Sequence, residues 1–291
     1  RGLRLIAART NHDDTRAQNS QDTWVEDGGR HYVEHYLIDF GSTFGSGSVD
    51  MQFPNLSFQY WLDTEQVKKN MVGIGFNVPP YRRVKWPKYP EYEAIGRWEA
   101  EYFDAEGWRN DYPNPAFVRM TARDAFWAGK IIMSFTAEEL RAIVTTGQYS
   151  QAEWSEYFLK VLLERQQKCG RFGINGINPL DEFRISGNSL EFTNLSEKHG
   201  FSEPGVTYRV TWSIYNNAND TVQSLGDAVT QDTTRVPLPT RPTHSDDKNL
   251  FLLAQVQSIS DEHPHWEYPV GVYLRSNGAK YEVVGIERGD R

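Results

Sequence analysis

The spacing of apolar residues changes character several times along the chain. Leu3, Ile6, Ala7 and Thr10 recur at helical intervals and predict a short helix leading into the polar run "TNHDDTRAQNS", Thr10 to Ser20. "DTWVEDGGRHYVEHYLIDFG" then reads as a hairpin. Trp24 and Val25 lie on one arm, Asp27-Gly28-Gly29 form the turn, and Tyr32 to Phe40 form the other arm. The Gly- and Ser-rich "GSTFGSGS" after it predicts a mobile or ligand-facing loop.

Residues 76–117 keep neither period. Prolines and aromatics recur there, which predicts an extended segment wrapped over the domain and pinned by aromatic anchors. Within it "PKYPEYEAIGRWEAEYF" is either part of that wrap or an aromatic platform for a sugar or a partner. Helices follow over 121–170. Thr121-x-x-Asp124, Thr136-x-x-Glu139 and Ser150-x-x-Glu153 have the form of capping boxes, in which a hydroxyl accepts from an unpaired backbone N–H while the acid reaches back. The second helix should close at Gly147 and the third at Gly170. Trp154, Tyr157, Phe158, Val161 and Leu162 form a buried stripe on the third.

After "NGINPLDEF" the texture becomes short alternating segments: "SLEFTNL", "TYRVTWSIYN", "TRVPLP", "NLFLLAQVQSI", "VGVYLRS" and "YEVVGIER". Turn signals such as Asn216-Asn217, Pro239-Thr240 and Ser276-Asn277-Gly278 separate them. Such spacing predicts an antiparallel β-sandwich of the immunoglobulin or fibronectin type III kind over 184–291. The expected fold class is therefore α+β, with a mainly helical first domain over 1–183 that carries a small β-hairpin.

Composition narrows the setting. With 38% hydrophobic and 24% charged residues in 291, the chain reads as folded and soluble, and nine Trp imply broad packed surfaces. A net charge of −8 argues against general affinity for nucleic acid or anionic lipid. No apolar run approaches the roughly 18 residues a membrane span requires. Cys169 is the only cysteine, which excludes an intramolecular disulfide and a Cys-rich zinc site, and its place at a helix end suits packing better than nucleophilic chemistry. The opening "RGLRLIAARTNH" lacks an initiator Met and reads as a processed or incomplete product with sequence missing upstream.

The chemistry lies near the start. His12, Asp14 and Asn19 fall in the order H-x-D-x-x-x-x-N, and Asp39 closes an apolar run in "IDFG". Joined by a hairpin, these segments resemble the catalytic loop and metal-binding loop of the protein-kinase-like superfamily, nearest to its aminoglycoside-phosphotransferase-like and other atypical branches. The resemblance implies a C-terminal lobe with its catalytic loop over 11–20 and its metal loop over 38–48. Asp14 would orient or deprotonate an acceptor hydroxyl, and Asn19 and Asp39 would hold Mg²⁺ against the phosphates of ATP. Arg16 would approach the transferred phosphate, His12 would support the loop backbone, and Gly41 would let the chain turn sharply. Phosphoryl transfer needs charge neutralisation more than covalent help, and hard oxygen donors suit that cation.

This sequence departs from that pattern in several ways. Asp13 stands where protein kinases commonly have Arg, and "YPNPAF" is the nearest counterpart to the usual closure after the metal loop. The glycine-rich loop and clamping Lys of an N-terminal lobe have no counterpart before the motif. Two readings follow. In one, the chain is the C-terminal part of an atypical phosphotransferase completed by an upstream segment or another polypeptide, and is inactive as an isolated chain. In the other it is a non-catalytic, pseudokinase-like scaffold or interaction subunit of a larger extracytoplasmic assembly. A periplasmic or cell-surface setting is preferred over a cytoplasmic one.

Other chemistry is sparse. His263 and His265 would share one strand face, as metal ligands can, or sit in a plain loop. Glu138-Glu139 belong at a helix start, where acids favour the dipole.

Overall fold

The computed structural model describes residues 1–74, 76, 78–86, 95–239, 248–277 and 280–289. Part of the predicted aromatic platform (87–94), Thr240 and Gly278 lie outside the described residues. The chain forms two units, Arg1–Gly173 and Ile174–Arg291. This division falls before the composition change near 184, because the first strand of the second unit already pairs there from Leu180. Helices and antiparallel sheets together make the protein α+β.

In the first unit, helix α1 (Leu3–Thr10) ends at Asn11, whose left-handed φ of 54° returns its N–H to the last turn. Its inward face is centred on Leu5 and Ala8, both at 0% exposure, while Leu3 and Ile6 only flank the core. Strands β1 (Ser20–Asp27) and β2 (Arg30–Leu37) form the hairpin, paired from Ser20↔Leu37 to Asp27↔Arg30. Gly28 and Gly29 supply the two positive φ values, 54° and 78°, that a tight primed turn demands. The second arm stops at Leu37, short of Phe40, because Asp39 takes φ 60° and leaves the strand.

Beyond the hairpin lie α2 (Thr64–Val72) and α3 (Pro115–Val118). They are followed by α4 (Ala122–Ser134), α5 (Ala137–Thr145) and α6 (Ala152–Asn175). The boxes at Thr121 and Thr136 form in full: Asp124 accepts from the Thr121 N–H at 2.8 Å, and Glu139 accepts from the Thr136 N–H at 2.8 Å. Helix α6 does not close at Gly170 but continues to Asn175. The glycine that matters is Gly173: a Cβ there would lie 2.5 Å from the Ala125 carbonyl oxygen, so its absence allows α6 to cross α4 closely.

Two apolar clusters fill this unit. One gathers Leu5, Ala8, Trp108, Phe117, Ala128 and Ile132; the other gathers Ile95, Trp98, Leu140, Phe158 and Leu162. Between residues 95 and 117 the anchors are Trp98, Phe103, Trp108 and Phe117, all buried. Burial pushes the Cys169 thiol up to about 12, so this cysteine is an inert core residue.

The second unit is built from two antiparallel sheets. Strands β3 (Leu180–Ser186), β4 (Ser189–Asn194) and β8 (Arg235–Pro237) form one, and a short α7 (Leu195–Lys198) follows β4. The other runs β11-β10-β9-β5-β6 with β7 also on β5. Its strands are β5 (Thr207–Asn216), β6 (Thr221–Ser224), β7 (Val229–Gln231), β9 (Leu250–Ile259), β10 (Val270–Ser276) and β11 (Tyr281–Arg288). Alternation explains the core: Leu252, Ala254 and Val256 of β9 and Val272 and Leu274 of β10 turn inward against Leu190, Phe192 and Val236 of the smaller sheet. The His263 and His265 rings do not share a strand face. His263 precedes a 3₁₀ turn (Pro264–Glu267) that contains His265, His263 stacks on Trp266 at 4.1 Å, and the Nε2 atom of His265 bonds the Asn175 carbonyl at 2.7 Å.

Candidate functional site

The site grows from the C-terminus of α1. After Asn11 the chain folds back so that the His12 N–H reaches the Ala7 carbonyl at 2.9 Å, then runs extended to a 3₁₀ turn at Ala17–Asn19. The β1–β2 register sets Ser20 opposite Leu37, and the Ile38 N–H donates to the Asn19 carbonyl at 2.9 Å. Asp39 therefore emerges beside Asn19 at the open end of the hairpin. The Asn19 side-chain amide donates to the Asp14 carbonyl at 2.8 Å, which leaves its amide oxygen as a free lone-pair donor. The hairpin thus links Asn19, whose side chain holds the Asp14 carbonyl, to the backbone of Ile38, one residue before Asp39.

Arg16 is held between two carboxylates. Its Nε pairs with Asp14 Oδ1, its Nη2 with Asp111 Oδ2 at 2.8 Å, and its guanidinium lies 5.2 Å from the centre of the Tyr112 ring. His12 is 1% exposed, packs its ring against Phe40 at 4.8 Å, and bonds the Ser42 carbonyl through Nδ1 at 3.3 Å. Burial depresses its pKa. A neutral ring with its proton on Nδ1 suits these contacts, and Nε2 is left without a partner. His12 therefore braces the segment after Asp39 as well as its own loop.

Gly41 does not make the sharp turn expected of it: the positive φ values fall instead on Asp39, Phe44 and Gly45, and the nearest atom to a Cβ at Gly41 is the tip of the exposed Ser48 side chain, at 2.5 Å, which can swing aside. The "GSTFGSGS" loop is anchored rather than free. The Phe44 N–H donates to the Thr10 carbonyl at 2.7 Å, and its ring packs on Trp98 and Phe158 at 5.4 and 5.1 Å.

Several residues that the motif does not contain hold the arrangement. Asp13, 2% exposed, accepts from Ser42 Oγ at 2.7 Å and from the Gln52 amide, and desolvation raises its pKa to about 7. Gln52 also exchanges hydrogen bonds with Asn11, at 2.7 Å and 3.1 Å. Asn110 and Asn114 both donate to the Thr15 carbonyl, at 3.2 and 2.9 Å, and the Asp111 N–H donates to the Asp13 carbonyl at 2.9 Å. Thus "YPNPAF" and the residues before it form a collar around the 11–16 loop. Arg165 donates to the Ala8 and Glu99 carbonyls and to the Asn11 side chain, at 2.7, 3.0 and 2.9 Å. One signal for it was present: position 165 continues the 158-161-162 stripe, so a cation was due to be buried. Asn110, Asp111 and Gln52 had no such signal.

A cavity of 600 Å³ adjoins Asp14 and Arg16; Asp111, Ser48, Met51 and Trp61 are among its walls. The amide oxygen of Asn19 and the exposed carboxylate of Asp39 are hard donors of the kind Mg²⁺ takes. No cluster of three or more His, Cys, Asp or Glu set to hold a metal occurs among the described residues. Nor, among them, is any helix long and apolar enough to cross a membrane. No family model, curated protein or solved structure matches this chain.

Proposed function

We propose that the first unit is the C-terminal lobe of an atypical kinase-like phosphotransferase. The observation that carries this reading is the junction at Asn19, whose side chain bonds the Asp14 carbonyl and whose own carbonyl receives the Ile38 N–H beside Asp39. That junction supports a division of labour in which Asp14 orients or deprotonates an acceptor hydroxyl. Asn19 and Asp39 would hold a Mg²⁺ ion that neutralises the phosphates of ATP. Arg16, a permanent cation beside the cavity, contacts the phosphate being transferred. The acceptor enters through the 600 Å³ cavity, where Asp14 is exposed to it. An upstream segment or a second polypeptide clamps the nucleotide from the other side.

One observation favours the alternative of a non-catalytic scaffold: the Asp14 carboxylate is engaged by Arg16, which Asp111 also claims. Calorimetric titration of the complete natural polypeptide with Mg²⁺-ATP separates the two. Binding that weakens at least about tenfold in Asp39→Asn, a loss of about 1.4 kcal/mol, is expected for the enzyme. No binding by the complete protein leaves the scaffold.

A further inference from the structure

A surface patch of the first unit has a character opposite to that of the chain as a whole. From Leu62 to Lys85 the sequence carries five Lys or Arg against Asp63 and Glu65, the latter paired with Lys68 at 2.9 Å, within a chain of net charge −8. Lys68, Lys69, Arg82, Arg83 and Lys85 are all exposed. The same stretch holds large apolar side chains out in solvent: Met71 is 74% exposed, Leu62 78%, Val72 and Ile74 84%, and Phe76 91%.

Helix α2 makes this placement unusual. It has nine residues, none of them buried, so tertiary packing does not hold it. Helices this short are marginal in water when they lack a packed face. Val67 and Met71 nonetheless share one face of the helix at four-residue spacing, both exposed, and Ile74 follows just past its end, also exposed. Side chains exposed to this degree protrude; they do not line a groove cut for a partner's shape.

We infer that the exposed side chains of Leu62, Met71, Ile74, Phe76, Arg82, Arg83 and Lys85 form a membrane-surface patch, which adsorbs to an anionic phospholipid bilayer with the apolar four in the headgroup–acyl boundary and the cations against lipid phosphates and carboxylates. Protruding apolar side chains in a segment that also exposes Lys and Arg are what such an interface accepts. A nucleic acid would use the cations and leave the apolar side chains in water. An acidic protein would need a shaped apolar surface, which protruding side chains do not offer. The overall negative charge opposes general adsorption and therefore orients the molecule with this patch toward the lipid. The inference does not depend on the phosphotransferase reading.

The test is co-sedimentation of the full chain with vesicles of phosphatidylcholine alone or mixed with phosphatidylserine. Binding to the mixed vesicles, weakened by salt and weak on phosphatidylcholine, is expected. Replacing Arg82, Arg83 and Lys85 together by Gln should lower partitioning about a hundredfold, at about fivefold per cation. A second variant, Ile74→Ser with Phe76→Ser, should lower it without changing net charge; both alter only exposed positions, and circular dichroism checks the fold. Equal binding to both vesicle types, no binding to either, or wild-type binding by both variants overturns the proposal.

Discussion

The two units bury different things. In the second, the zero-exposure positions are mostly hydrocarbon, Leu180, Leu190, Val210, Ala254, Val256, Val272 and Leu274 among them, and the polar residues beside them are small and uncharged, Ser196 and Ser258. In the first, Asn11, His12, Asp13, Thr15, Gln52 and Arg165 are buried as deeply as the apolar residues around them. Buried hydrocarbon gains free energy in proportion to the area taken from water. A buried polar group gains little and must find partners. The second unit is thus built to be stable, and the first accepts a polar interior because that interior fixes the loop bearing Asp14.

Three measurements would break or sharpen this contrast. The largest effect is expected at Arg165, whose guanidinium donates to Ala8, Asn11 and Glu99 and stacks at 3.8 Å from the centre of the Phe103 ring. Arg165→Met keeps length and removes three buried hydrogen bonds, with only Trp108 Nε1 left to Asn11 Oδ1 and the Asn11 N–H left to the Ala8 carbonyl, so a loss of about 3–5 kcal/mol is expected by urea denaturation. Amide exchange should quicken first in residues 5–16. A loss under about 1 kcal/mol would mean the polar interior is not held by this residue.

Next is Leu274→Ala, which empties space in the apolar core between the sheets. A loss of about 3 kcal/mol is expected, with faster exchange confined to strands β5, β9 and β10. Faster exchange at residues 11–16 instead would end the separation drawn between the two interiors.

The third effect is absent at low pH and grows as pH rises. Asp13 titrates near 7 when folded and near 3.8 when unfolded, so between these values only the folded state keeps the proton. Its contribution to stability is complete below about pH 4, falls as pH rises through 7, and is then lost. Asp13→Asn removes this fall, so stability relative to the natural chain should improve by about 2–4 kcal/mol from pH 4 to pH 8. Parallel pH profiles for the two proteins would show that Asp13 is ionised throughout.

Legibility in the sequence followed the range of the interaction. The boxes at Thr121 and Thr136 are complete within four residues, and both formed as read. The Gly28-Gly29 turn is as local, so the hairpin and its register followed from it. The end of α6 was misread because Gly170 satisfies the usual stop signal, whereas the helix is carried on by packing at Gly173. The strands β6 and β7 were missed because they are short, and β3 because a register shift between Asp181 and Arg184, with Glu182 at φ 55°, breaks its alternation.

The sequence by itself determined the local grammar of this protein: capped helices, a tight hairpin and alternating strands. Each of these is set by residues within a few positions of one another, where backbone geometry and short hydrogen bonds suffice. Only the tertiary structure decided that Asp13 is buried, that Asp111 shares Arg16 with Asp14, and that Asn110 and Asn114 secure the Thr15 carbonyl. Those outcomes depend on which groups are desolvated together, and desolvation is a property of the packed chain.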